Sequence, residues 1–384
     1  MAVIENVLRL MRKGRPEAEG METFSGLLFS STFERSLAGI ESDKLARFAQ
    51  DAFAHLIRKP HKRHAINFRS TDLLAATDGA AEALTVVEVL NDDMPFAVES
   101  IMGELHSRGL MPRLVFHPIF KVKRYGSGRL QAVAGRGDQH WAAGDQESYI
   151  AVVLEPLEAD ARQALAEALD TVLDDVRQAA TDADAIRNRI TLAIAAYEAV
   201  QHALDPAPGT PTGIDFKEAV EFLRWLVQGN FTALGARDYE LVGMDQSNEL
   251  WPSATGALGI FRRPAATPAG APGMTAELRA LYSDATPLII SKSSEPSRVR
   301  RRVPLDTIGI KKFSPAGKLI GELRIAGLFT PASYKQPVEA VPLVRHKVRR
   351  VLAEAQFPPD SHSGRTLLDI LEIFPRDELF QIEQ

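Results

Sequence analysis

The stretch VVEVLNDDMPFAVESIMGELHSRGL, residues 86–110, passes from a β-branched apolar run through an acidic corner into a helical pattern. ALTVVEVL, residues 83–90, has the composition of a strand, while Val98, Ile101, Met102 and Leu105 recur at helical spacing until Gly109 ends the pattern. Between them, Asp92 or Asp93 is suited to cap the helix, and Pro95 suits its first turn, where a missing N–H costs nothing. A second reading is chemical. A strand-to-helix corner exposes backbone donors that can hold a carboxylate, and an aspartate not spent on capping can hold an ammonium group. An amino acid carries both groups, so Asn91, Asp92, Asp93, Met94 and Pro95 are the candidate ligand residues.

Reading outward, MPRLVFHPIFKVKR (111–124) predicts a bent strand or strand pair, and SYIAVVLEP (148–156) another strand. EADARQALAEALDTVLDDVRQAA (158–180) then predicts a helix with Leu165, Leu169, Val172, Leu173 and Val176 on one face, and residues 183–204 continue as helix. Strand, helix, strand, strand, helix is most of a ferredoxin-like βαββαβ motif, with no fourth strand after the second helix. HAINFRS, residues 64–70, alternates apolar and polar and could supply that edge, as could a partner subunit. Before it, SDKLARFAQDAFAHLIRKP (42–60) reads as an amphipathic helix with Ser42 as N-cap and Leu45, Phe48, Ala52, Leu56 and Ile57 at helical spacing.

DPAPGTPTG, residues 205–213, is the best linker in the chain. Beyond it Asp215 and Glu218 fit a capping box, and several short strand patterns follow, with PAATPAGAPG (264–273) as an insertion and SPAGK (314–318) as a turn. The tail returns to helix. The expected class is α+β: a helical segment at 1–63, a ferredoxin-like domain with its following helix at 64–205, a β-rich domain at 214–335 and a helical segment at 336–384.

The 384 residues, 45% hydrophobic and 25% charged, describe an ordinary globular composition with no long apolar run. The absence of cysteine excludes disulfides, thiolate nucleophiles and iron–sulfur clusters. A net charge of −5 is the wrong footprint for nucleic acid, and the N-terminus has its basic residues after its apolar ones, the wrong order for a secretory signal. A cytoplasmic protein with neither nucleic-acid nor membrane partners is expected.

Two sets of basic residues are candidate sites. His61 and His64 in HKRH lack a third ligand at metal spacing, so a solvated loop and no metal are expected. In SRVRRRV, residues 297–303, an extended strand would put Arg298, Arg300 and Arg302 on one side, as an anion or interface row or a guarded strand edge. Neither Gly126/Gly128 nor Gly135/Gly137 has the third glycine of a dinucleotide fingerprint, and the chain contains no Gly-Gly pair.

VVEVLNDDMPFAVESIMGEL (86–105), FLRWLVQGNFTALGARDYEL (222–241), the run from LIISKSS to AGLFT (288–330) and DSHSGRTLLDILEIFPRDELFQI (360–382) together resemble, in order, the N-terminal region of the large bacterial NAD-specific glutamate dehydrogenases. The resemblance implies a cytoplasmic, homo-oligomeric parent that deaminates L-glutamate to 2-oxoglutarate and ammonia with NAD. It implies an ACT-like domain, a ferredoxin-like module associated with amino-acid sensing, followed by a PAS-like β-rich domain. It also implies that this chain stops before the catalytic domain: no catalytic residue and no cofactor are assigned to it, NAD belonging to the missing part. The expected partners are other copies of itself and its own catalytic domain, with an amino acid as possible effector.

Overall fold

The computed structural model describes residues 7, 18–32, 34–74, 83–138, 141, 145–204, 216–242, 249–252, 256–263, 282, 286–314, 318–358 and 360–381. The expected linker at 205–213, the insertion at 264–273 and Asp215 lie outside these residues. The chain divides into two compact units, Met1–Val176 with Arg298–Arg302, and Arg177–Ser297 with Val303–Gln384. Their described elements are α+β, with antiparallel sheets.

The first unit is built on a sheet in the order β1 (Ala65–Thr71), β2 (Leu84–Asp92), β6 (Asp145–Leu154), β4 (Ile119–Arg124) and β5 (Leu130–Gly135), with β3 (Leu114–Phe116) also pairing with β6. All these pairings are antiparallel. His117 and Pro118 break the 111–124 pattern into β3 and β4. The fourth strand of the ferredoxin-like pattern comes from the N-terminal side of the chain. HAINFRS forms β1, in register from Ala65 against Leu90 to Thr71 against Leu84. Among the described residues no strand of this sheet follows the second helix, because its apolar spacing never breaks: Ile186, Ile190, Ile194 and Tyr197 carry it on as one helix, α4 (Ala159–Leu204).

Both faces of this sheet are covered, which is why β2 is buried through eight of its nine residues. Helices α1 (Ala18–Ser30) and α2 (Ser42–Leu56) pack Phe24, Leu28, Phe48 and Phe53 against Phe116, Phe120 and Tyr149. Alternation turns Val87, Val89, Ile150 and Val152 to the opposite face. These are buried too, as are Ile101 and Leu105 of α3 (Ala97–Ser107) and Leu165, Leu169 and Leu173 of α4. Helix α2 ends at Leu56, short of the expected stop at Pro60, and its N-cap position is Glu41, without a side-chain cap; Ser42 is already helical.

Gly128, in the β4–β5 hairpin, has φ of +79°, and a Cβ there would overlap the carbonyl oxygen of Lys59. The hairpin thereby seats Lys59, whose N–H donates to the Gly128 carbonyl at 3.2 Å. Gly128→Ala is expected to lower the urea midpoint of the first unit, at a cost on the order of 1–3 kcal/mol for the forced conformation. An unchanged midpoint would remove this account of the hairpin.

The second unit has a sheet in the order β10 (Leu288–Pro296), β11 (Pro304–Phe313), β12 (Leu319–Phe329), β7 (Phe231–Val242) and β8 (Glu249–Pro252), with β9 (Leu258–Gly259) pairing with β7. Its core joins Ile308, Ile310 and Ile325 of the sheet to Ile190 and Ile194 of α4, and to apolar faces of α5 (Phe216–Trp225) and α6 (Val344–Glu354). Tyr197 fixes α4 on the sheet by donating to the carbonyls of Pro287 and Lys311 at 2.6 and 2.9 Å. The expected capping box with Asp215 lies outside the described residues, and Glu218 has partners far along the chain. Its carboxylate accepts from the Leu343 N–H at 2.9 Å and from both nitrogens of an Arg345 fork at 2.7 Å. No helix among the described residues is long and apolar enough to cross a membrane.

Candidate functional site

The corner between β2 and α3 is not organised by capping. Helix α3 starts at Ala97, its N-cap position is Phe96 with φ of +71°, and no side-chain hydrogen bond caps it there. Pro95 therefore precedes the helix rather than occupying its first turn. Asp92 is still in β2, four residues before Phe96. Its carboxylate instead takes the Lys59 ammonium at 2.5 Å. Lys59, 4% exposed at its side chain, also lies 3.3 Å from Glu147, which Arg124 grips through two nitrogens at 2.8 and 2.6 Å. Such a buried set of alternating charges is held by mutual pairing, so Asp92 serves the sheet end.

Asn91 is fully buried beside Ser148, its register partner on β6, and Met94 is half-buried. Asp93 continues the sheet edge through its N–H, which donates to the Gln146 carbonyl at 2.9 Å. Its charge acts on the His117 ring. Burial lowers the pKa of that ring below the ordinary histidine value, and the Asp93 charge opposes the shift. Of the two aspartates in the corner, Asp93 is the one placed to meet an ammonium group.

The arginine row folds differently from expectation. Residues 298–302 are irregular, not a strand, and belong to the first unit, where they lie along α3. Arg300 has φ of +70°, its N–H donates to Ser100 Oγ at 2.8 Å, and its guanidinium lies 5.4 Å from the centre of the Phe96 ring. Arg302 reaches Glu104 and Ser107, both at 3.2 Å, and Arg298 lies 3.8 Å from Asp175. The three side chains have separate partners because left-handed backbone at Arg300 destroys the two-residue alternation on which a common face depends. The close approach uses Gly103, whose added Cβ would sit 3.0 Å from Arg302 Cγ.

Two groups of candidates far apart in sequence thus meet on one helix. The first turn of α3 carries an uncapped N-terminus, which favours negative charge. Arg300 lies beside it through Phe96 and Ser100, and Asp93 stands just before it. A helix N-terminus and a guanidinium beside a carboxylate can meet a small zwitterion, although Arg300 is shared with Glu99 of the same turn at 3.6 Å. Phe96, His117 and Lys59 were missed in the sequence, and only Gly103, a glycine within a helical pattern, signalled that something packs closely there.

The HKRH segment also departs from expectation. Residues 61–63 are exposed, but His64 is buried and its Nε2 pairs with Asp170 of α4 at 2.8 Å. It is a packing histidine. Among the described residues no group of three or more histidine, aspartate and glutamate side chains could hold a metal ion.

The two Gly-x-Gly pairs do not form a nicotinamide fingerprint. The described strand pairings are antiparallel, Gly126 and Gly128 lie in the β4–β5 hairpin, and Gly135 ends β5, whereas the nicotinamide fingerprint needs a strand-to-helix turn of a parallel crossover.

Residues 24–169 match the family model of the glutamate dehydrogenase ACT1 domain, and residues 341–384 match that of glutamate dehydrogenase helical motif 1. The chain is 35% identical over 308 residues to the NAD-specific glutamate dehydrogenase of Halomonas elongata, covering 78% of this chain and 18% of that protein. It is 28% identical over 299 residues to the Pseudomonas aeruginosa enzyme of the same name, covering 77% and 18%, and 27% identical over 327 residues to that of Mycobacterium tuberculosis, covering 83% and 18%. The chain thus spans less than a fifth of the length of these relatives. A solved structure of an RNA-binding light-oxygen-voltage receptor aligns over 84% of this chain and 90% of its own at 11% identity, and its TM-score of 0.16 carries no argument.

Proposed function

We propose that this chain, which carries the ACT1 domain and helical motif 1 of glutamate dehydrogenase, is the non-catalytic regulatory and subunit-association segment of an NAD-specific glutamate dehydrogenase. The parent reaction is oxidation of L-glutamate with NAD and water to 2-oxoglutarate, ammonia and NADH, and the cytoplasm is its place. NAD is used outside this segment. The β-rich stretch from 214 to 335 is a PAS-like domain, a reading supported by its antiparallel sheet with helices against the core face. The partners are other copies of the chain and the enzyme's own catalytic domain.

The observation that carries the regulatory part is the β2–α3 corner in an ACT1 domain. Asp93 supplies a carboxylate for an ammonium group, and the α3 N-terminus with Arg300 supplies positive potential for a carboxylate. Sensing requires the effector to bind two states of the enzyme unequally.

Calorimetry of the 384-residue protein with each proteinogenic amino acid tests this. At least one is expected to bind, and Asp93→Asn is expected to weaken it roughly tenfold or more, the value of a charge-assisted hydrogen bond. The protein alone is expected to give no glutamate-dependent NADH. Heat from no amino acid would favour a second reading, a purely architectural association module. One observation favours that reading: Asp92 is already held by Lys59.

A further inference from the structure

The second unit contains a cavity of about 350 Å³ between α4 and the β11–β12 end of its sheet, near the lower end of the usual size for small-molecule pockets. Ala193 and Ala196 of α4, one helical turn apart, leave the space, and Ile310, Phe313 and Leu323 border it from the sheet. Leu192 and Ile320, also on its lining, are 69% and 46% exposed. Large aliphatic side chains converging on an open cavity are what a ligand with an apolar body covers.

The charged lining is unequal in sign. Arg189 Nη1 and Lys312 Nζ share the single carboxylate of Asp238 at 2.9 and 3.1 Å. Lys311, between Ile310 and Lys312 on β11, turns its buried ammonium group to the other face of the sheet, 5.8 Å from the centre of the Tyr282 ring. Two cations and one carboxylate, Arg189, Lys312 and Asp238, give the lining a positive balance, which attracts an anionic group and repels a cationic one.

We propose that this cavity is a binding site for an amphipathic monoanion, a small carboxylate or sulfonate on an aliphatic or aromatic body. The apolar part lies among Leu192, Ile310, Phe313 and Ile320, and the anionic head stays beside Arg189 and Lys312. This site shares no residue with the β2–α3 corner.

The test uses the 384-residue protein and anilinonaphthalene sulfonate, a fluorescent amphipathic anion. Fluorescence is expected to saturate at one probe per chain. Decanoate is expected to displace the probe at concentrations about tenfold lower than decanol, with decyltrimethylammonium weaker still. Leu192→Glu, on an exposed position, is expected to weaken probe and decanoate binding about tenfold or more without moving the urea midpoint. Lys312→Gln should weaken decanoate but not decanol, and should stand in for Leu192→Glu if that variant is poorly folded. Absence of saturable binding, equal displacement by decanol and decanoate, or binding indifferent to both substitutions would overturn the proposal. So would a self-association that Leu192→Glu abolishes and decanoate leaves untouched, since the cavity would then be a docking surface for a second copy.

Discussion

Replacing Glu88 with alanine is expected to destabilise the first unit by about 3–5 kcal/mol, the usual cost of removing one partner from a buried ion pair. Glu88 is fully buried in the middle of β2. It accepts from Asn67 Nδ2 and Arg69 Nε at 2.8 Å and from the Tyr149 hydroxyl at 2.6 Å. Burial, then the Glu88 charge and hydrogen bond, hold the Tyr149 hydroxyl far above its ordinary pKa, so it remains a donor throughout the accessible range. Removing the carboxylate strands a guanidinium, an amide and a phenol among Phe24, Phe48 and the sheet. Urea unfolding of the full chain, followed by amide exchange in β1, β2 and β6, should show early loss of these strands. A loss below about 1 kcal/mol would mean that water satisfies the stranded groups and the unit is looser than described.

The second large effect is at Glu218, and it depends on pH. Burial raises the pKa of this carboxyl, but the Arg345 hydrogen bonds, the Leu343 N–H and the Arg345 charge together outweigh burial and leave it below the ordinary glutamate value. A depressed folded-state pKa means stabilisation that is complete above the unfolded value of about 4.3 and is lost as pH falls through the folded-state value. Glu218→Ala is therefore expected to cost the second unit about 3–5 kcal/mol at neutral pH, since it leaves Arg345 without its fork partner and the Leu343 N–H without an acceptor. The penalty of Glu218→Gln relative to the parent chain should shrink as pH falls below about 4.3. A penalty constant from pH 7 to pH 3 would show that the fork has no electrostatic value. Leu343 has φ of +68°, so this carboxylate also holds a strained residue at the start of α6.

Much of this fold was written in local patterns. Unbroken apolar residues marked β2, because a strand covered on both faces has no polar side to show. The stripe from Leu45 to Leu56 marked α2, and alternation in HAINFRS marked an edge. The candidate corner was found, but its internal chemistry was not. Asp92 was read as a cap because capping residues are recognised by nearness to a helix; its actual partner, Lys59, is 33 positions away and is brought there by the β4–β5 hairpin. Arg298–Arg302 failed for a related reason. A two-residue period predicts a common face only while the backbone stays extended, and nothing in SRVRRRV announces the positive φ at Arg300. Two partners of Glu218, Leu343 and Arg345, lie more than 120 residues later, beyond the reach of any local pattern.

The N-terminal origin of β1 bears on the order of assembly. In the ordinary ferredoxin-like pattern the fourth strand follows the second helix, so the sheet waits for that helix before its edge can close. Here every strand of the first sheet precedes α4, and β1 meets β2 across a single short connection, residues 72–83. Shorter sequence separation reduces the loop-closure entropy of that pairing and favours its early formation. All the strands of this sheet are therefore synthesised before α4 begins at residue 159.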